Sequence, residues 1–234
     1  MTLLVLLIAT ALIFDFINGW HDSANSIATV VGTKTLTPLQ AVLLAAFGNF
    51  IAILFFELHV AKTIGKGLVE PTVVDLRVIF AALCGAILWD VLTWYFGIPS
   101  SSSHALMGGL AGAALMKAGT HAIIFQGWVK PVCFIFLAPL IGMILGMAVM
   151  VLVAWLIHLL EPHLPQSSLN SVCRKAQIVS SLAYSIGHGG NDAQKTMGII
   201  TATLVAANVQ AHHDPPFWVI IACHLAIALG TFTG

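Results

Sequence analysis

Two short polar blocks carry the residue types best suited to chemistry in this chain: Gly19-Trp20-His21-Asp22-Ser23-Ala24-Asn25 and Gly189-Gly190-Asn191-Asp192-Ala193-Gln194-Lys195. Each sets a carboxylate three positions after a glycine, beside carboxamides, and each interrupts an apolar run long enough to cross a bilayer. An ionisable side chain at membrane depth costs at least ~2.5–3.5 kcal/mol, so it persists where it faces a substrate, an ion or water. A carboxylate with amide and free backbone carbonyls makes a hard oxygen cage for a cation such as Na⁺, or, when buried, a proton acceptor. Helix capping by Asp and Asn is the plain alternative for one block alone. The two aspartates lie 192 − 22 = 170 residues apart, and the repetition favours a transporter with paired helix breaks around one site.

A third constellation is Pro99-Ser100-Ser101-Ser102-Ser103-His104, followed by the small-residue stretch Ala105–Ala114. Hydroxyls at a helix start, together with its free N–H groups, suit an anion. Ser103 and His104 are adjacent, which does not present a nucleophile to a base, and no Gly-x-Ser-x-Gly elbow accompanies them, so no enzyme activity is expected. Lys195 needs Asp192 or a bound anion as partner unless it snorkels to the interface. His21 and His188 are candidates to shuttle protons or touch a metal–anion complex, against the plainer reading of hydrogen-bonded structure. Asp15 and Asp90 fall in apolar runs, where either could close a helix–helix hydrogen bond.

The elements that must position these groups are helices in a membrane. Of 234 residues, 59% are hydrophobic and 8% charged, and mean hydropathy is +0.99; a soluble domain carries roughly 25% charged residues. Nine basic residues balance nine acidic ones, which gives no footprint for nucleic acid. The widely spaced Cys84, Cys133, Cys173 and Cys223 read as small buried hydrophobes without metal or redox pairing. The apolar N-terminus lacks a basic n-region and a cleavage site, so it reads as part of the mature protein.

The pattern predicts a first span broken at Asn18-Gly19, a span at about 39–58, and an interfacial loop over Glu57–Arg77 that includes Lys62 and Lys66. A span at about 78–96 leads into a re-entrant Ser-rich hairpin at about 98–116; a loop from Lys117 to Lys130, a span at 131–160 and a polar loop at 161–175 follow. The second polar block interrupts the next apolar run, and a last span covers 217–233. The glycine and alanine rows at 108–114 and 142–148 suit close helix packing. His59, His121, His158, His163, His212 and His213 mark interfaces, and the few basic loop residues leave orientation open.

Phe16 through Asn25, Pro99 through His104, and His188 through Gly198 resemble, in that order, the inorganic phosphate transporter family often called PiT, and look most like its bacterial low-affinity branch. The resemblance covers essentially the whole chain. It implies an all-α polytopic inverted-repeat transporter of the plasma (inner) membrane. The transport implied is symport of phosphate or neutral metal–phosphate, with H⁺ or Na⁺ as coupling cation, a divalent metal as a candidate co-substrate, and no resident cofactor. By position, Asp22 and Asn25 match the first aspartate motif, Ser101, Ser102 and Ser103 the first serine/threonine hairpin, and Asn191, Asp192 and Gln194 the second aspartate motif. Asp22, Asn25 and Asp192 are thus expected to couple the cation; Ser101, Ser102, Ser103, Asn191, Gln194 and Lys195 are expected to bind phosphate. Residues 1–160 would form the first repeat and 176–234 the start of a second. No second Ser/Thr hairpin follows Lys195, so the second repeat is read as truncated, with a non-transporting remnant and a sulfate carrier as alternatives. Partners expected are phosphate and lipid, with homo-oligomerisation left open.

Overall fold

A computed structural model describes residues 1–55, 67–212 and 214–234. His59, Lys62, Lys66 and His213, and residues 57–66 of the expected 57–77 loop, lie outside the described residues. The described chain is helical throughout: α1 (Thr2–His21), α2 (Ser23–Gly32), α3 (Pro38–Ile51), α4 (Leu76–Tyr95), α5 (Ser102–Ala118), α6 (Phe125–Leu160), α7 (Gln166–Ala206) and α8 (Phe217–Thr233). Among the described residues, the bent unit Thr2–Gly32, α4 and α6 are long and apolar enough to cross a membrane. Two shorter apolar helical stretches, Pro38–Leu54 and Phe217–Thr233, accompany them. The chain is an all-α polytopic membrane protein whose first helix bends.

The helix starts follow from local chemistry. Thr37 forms a reciprocal capping box with Gln40 ahead of Pro38, and the Asp75 carboxylate accepts from the N–H groups of Arg77 and Val78 at the head of α4. Ser101 caps α5, accepting from the His104 N–H. Leu4, Leu7, Ala11, Phe14 and Asn18 repeat at three- and four-residue intervals on α1 and are buried, the stripe expected of a helix packed on one face. Leu83 and Ala86 of α4, Ala193, Met197 and Ile200 of α7, and Val219, Cys223 and Ile227 of α8 complete that core. Glycine permits the α1–α8 crossing: a Cβ at Gly19 would overlap the Ile227 carbonyl, and one at Gly230 the Phe16 carbonyl.

Several sequence expectations change. The first helix breaks at Asp22, where α1 hands over to α2, rather than at Asn18-Gly19. No break occurs at the second polar block: α7 runs unbroken for 41 residues, about 60 Å at 1.5 Å per residue. Its polar side chains are compatible with a helix because they pair along it, Asn191 with the Gly187 carbonyl and Lys195 with Asp192. Gly189 does not unwind it, because it lies against the backbone of Asn49 in α3. The loop expected at 161–175 shrinks to 161–165, since Gln166 already begins α7. Likewise the loop placed at Lys117–Lys130 is short, since α5 extends to Ala118 and α6 starts at Phe125.

Small residues act as expected on α5, where Gly109 sits against Ala82 of α4. A Cβ added at Gly142 or Gly146 would meet nothing within 4 Å, because α6 stands outside the core and none of its residues is buried. Of the cysteines only Cys223 is buried; Cys84 and Cys133 lie on outward faces of α4 and α6, and Cys173 is intermediate.

Candidate functional site

The bend of α1 delivers Asn18, His21 and Asp22 to the middle of α7, where His188, Asp192 and Lys195 share a face at four- and three-residue spacing. Asp192 is the junction. One oxygen accepts from Asn18 Nδ2 at 2.9 Å, and the other lies 2.7 Å from the Lys195 ammonium. Asp22 faces the same place from α1: His188 Nε2 stands 3.5 Å from Asp22 Oδ2 and 3.7 Å from Asp192 Oδ2. This imidazole nitrogen is buried between two carboxylates without a hydrogen bond to either. One ligand atom from each of Asp22, His188 and Asp192 can be chosen so that all lie within 4.8 Å of one another. Two carboxylate oxygens and an imidazole nitrogen suit a cation.

The serine segment joins the cluster through Asn18. Ser102 Oγ donates to Asn18 Oδ1 at 2.6 Å, so a single carboxamide links the start of α5 to Asp192. His21 reaches in two directions, with Nδ1 3.3 Å from Asp22 Oδ1 and Nε2 3.2 Å from Thr93 Oγ1 at the end of α4. His188 Nδ1 lies 3.2 Å from Asn49 Oδ1, and Asn49 donates to Thr231 of α8 at 2.7 Å. Burial is deep but incomplete: the side chains of Asp22, Asp192 and Lys195 are 14–15% exposed and those of both histidines 9%.

The residues singled out in the sequence therefore separate. Asp22, Asp192, Lys195, His21, His188 and Ser102 converge. Asn25 is exposed and reaches back only to Asp22 Oδ1, at 3.2 Å. Asn191 is exposed and bonded to its own helix, whereas Gln194 is buried among the α7 contacts. Ser101 serves as the α5 cap, and Ser103 is half-buried in the first turn. Neither Asp15 nor Asp90 closes the helix–helix hydrogen bond that either could have made; both carboxylates are buried with no hydrogen-bond partner among the described residues. Asn18, Thr93 and Asn49 are the contributors that sequence reasoning missed. The available signal was spacing, since Asn18 precedes Asp22 by four residues and so shares its helix face.

The description "Phosphate transporter family" matches residues 18–234. A probable low-affinity inorganic phosphate transporter of Rhizobium meliloti is 54% identical over 233 residues, covering 99% of this chain and 69% of that protein. One from Bacillus subtilis is 45% identical over 235 residues, with the same two coverages of 99% and 69%. In three dimensions the chain is similar to a solved structure described as the sodium-dependent phosphate transporter, with TM-score 0.79, 23% identity, and 99% and 75% of the two chains covered. That likeness speaks to the fold.

Proposed function

Because this chain belongs to the phosphate transporter family, we propose that the Asp22–His188–Asp192 cluster is where it couples a cation to the passage of inorganic phosphate. It is a multi-pass protein of the plasma (inner) membrane, and its activity is secondary active transport rather than catalysis. One observation carries the site assignment: Asp22 and Asp192, far apart in sequence, face one imidazole and connect through Asn18 to the serine-led start of α5.

Charge dictates the rest of the mechanism. Two carboxylates and one ammonium leave the cluster with one net negative charge when the histidines are neutral. Bringing a phosphate dianion to such a place is unfavourable unless a cation arrives with it. Asp22 and Asp192 supply that cation's oxygen ligands, and His188 Nε2 adds a donor for a divalent metal travelling as metal–phosphate. The anion's own donors are the N–H groups and hydroxyls of Ser101–Ser103 at the α5 N-terminus, whose partial positive charge favours phosphate. Lys195 exchanges its Asp192 contact for a phosphate oxygen, so arrival of cation and anion is mutually supporting. Gln194, Asn191 and Asn25 are assigned to the rim of this path, with His21 holding Asp22 in place.

We read residues 1–160 as one repeat and the segment from α7 onward as part of a second, joined by the short connection at 161–165, with α5 re-entrant. Support comes from the two Gly-x-x-Asp blocks meeting face to face. Alternating access then follows from rocking one repeat on the other around the shared site. The test is uptake of radiolabelled phosphate by the reconstituted protein under imposed H⁺ or Na⁺ gradients, with sulfate as competitor. Gradient-dependent uptake resistant to sulfate is expected; uptake that ignores every cation gradient, or that sulfate blocks, refutes the reading.

A further inference from the structure

The cluster just described leaves a second acidic group unused. Asp15 lies on α1 seven residues before Asp22 and three before Asn18, in the same buried stripe. It is 0% exposed, and neither carboxyl oxygen has a hydrogen-bond partner among the described residues. Thr196 of α7 and Cys223 of α8 face it, and the Thr196 hydroxyl is likewise buried and without a partner. A donor and an acceptor thus stand opposite each other without closing a bond. Asp192 and Lys195 are the charged groups that act on it from α7. From α8 comes the Cys223 thiol; its neighbour His224 is bonded through Nδ1 to the Ile220 carbonyl of its own helix at 2.9 Å. Asp90 of α4 belongs to a different neighbourhood, its charged neighbours being His21, Asp22 and Lys195.

We propose that Asp15 is a proton-binding site, and that its carboxyl carries the H⁺ that accompanies phosphate through the neighbouring cluster. The inference rests on the transport reading above and adds the driving ion to it. An unpaired carboxylate sealed from water at membrane depth is costly, whereas the acid form carries no charge to desolvate. In the packing seen here Asp15 therefore holds a proton: the carboxylate oxygen has formed an O–H bond with an H⁺ taken from water. Opening of α1 against α7 and α8 admits water, the O–H bond breaks, and the proton leaves on that side. Sodium fits poorly, because a hard cation needs several oxygen ligands. Around Asp15 the facing groups are one hydroxyl and one thiol. A proton needs a single oxygen.

The experiment compares reconstituted wild type with D15N and D15E, reading phosphate accumulation driven by a pH gradient and gradient-free phosphate exchange. D15N copies the shape of the protonated acid. It is expected to lose accumulation and its pH dependence while retaining exchange, and D15E to retain accumulation with a shifted pH profile. Accumulation by D15N equal to wild type overturns the proposal. So does a D15E profile superimposable on wild type, which also decides the matter should D15N fail to fold. A wild-type protein with neither accumulation nor exchange refutes the transport reading instead. The proton site is then judged by infrared spectroscopy: a protonated-carboxyl C=O band that shifts in D15E supports it, and a band unchanged in D15E overturns it.

Discussion

Replacing Asn18 with alanine cuts the one side chain that joins the α5 start to the α7 cluster. Its amide donates to the Asp192 carboxylate at 2.9 Å, and its carbonyl accepts from Ser102 at 2.6 Å. A hydrogen bond to a charged group contributes about 1.5–3 kcal/mol and a neutral one about 1 kcal/mol, so isolated values sum to about 2.5–4 kcal/mol. Side-chain bonds between membrane helices average only about 0.6 kcal/mol, because the separated helices find other partners. The buried Ser102 hydroxyl has few such substitutes, which places the loss between these limits, at about 1.5–3 kcal/mol. At 1.4 kcal/mol per decade that is a ten- to roughly hundredfold fall in transport efficiency. The assay is initial-rate phosphate uptake in proteoliposomes, with thermal unfolding in detergent as a check on folding. Asn18→Asp sharpens the test, since it keeps an acceptor for Ser102 but sets a second carboxylate against Asp192. It should fall below Asn18→Ala when the driving cation is scarce and recover as that cation is raised. An Asn18→Ala protein within about twofold of wild type would refute the reasoning, because the two contacts would then carry neither positioning nor stability.

Asp22→Asn keeps the shape but removes a cation ligand; gradient-driven uptake should vanish while equilibrium phosphate binding by the solubilised protein changes little, and uptake at the wild-type rate would count against the role. Gly230→Ala forces a methyl onto the Phe16 carbonyl at the α1–α8 crossing, and overpacking of this kind costs roughly 1–3 kcal/mol; a lower unfolding temperature in detergent is the expected result. Outside the membrane-spanning segments, the Lys117 ammonium, 2.9 Å away, and the Val78 N–H hold the Asp75 carboxyl below its ordinary value of 3.8. Its folded pKa is depressed, so the stabilisation is fully present above pH 3.8 and disappears as pH falls through the lower folded value. Asp75→Asn should therefore lower the unfolding temperature modestly at neutral pH, and the gap to wild type should close in strong acid. Both side chains are substantially exposed, so salt should narrow it as well.

Composition alone determined that this is a membrane protein: too few charges and too many apolar runs exist for a water-soluble core. Local sequence also determined where helices start, because Thr37, Asp75 and Ser101 satisfy free N–H groups within three residues. The quoted motifs were enough to identify the family, and spacing alone put Asp22 and Asp192 forward as a pair. What the sequence could not decide is whether a polar block breaks a helix, because unwinding is settled by partners supplied elsewhere. At Asp22 the helix breaks; around Asp192 the same kind of block stays helical, its groups paired with Lys195, Gly187 and Asn18 and its Gly189 pressed on α3. Asn18 became the bridge only because α1 meets both α7 and the α5 start, contacts 174 and 84 residues away in the chain. The difference between Asp192, bonded to Asn18 and Lys195, and Asp15, buried with its carboxyl unbonded, is also tertiary. Asp15 stands in an apolar run and Asp192 in a polar block, but the helices packed around them decide which has a partner for its charge.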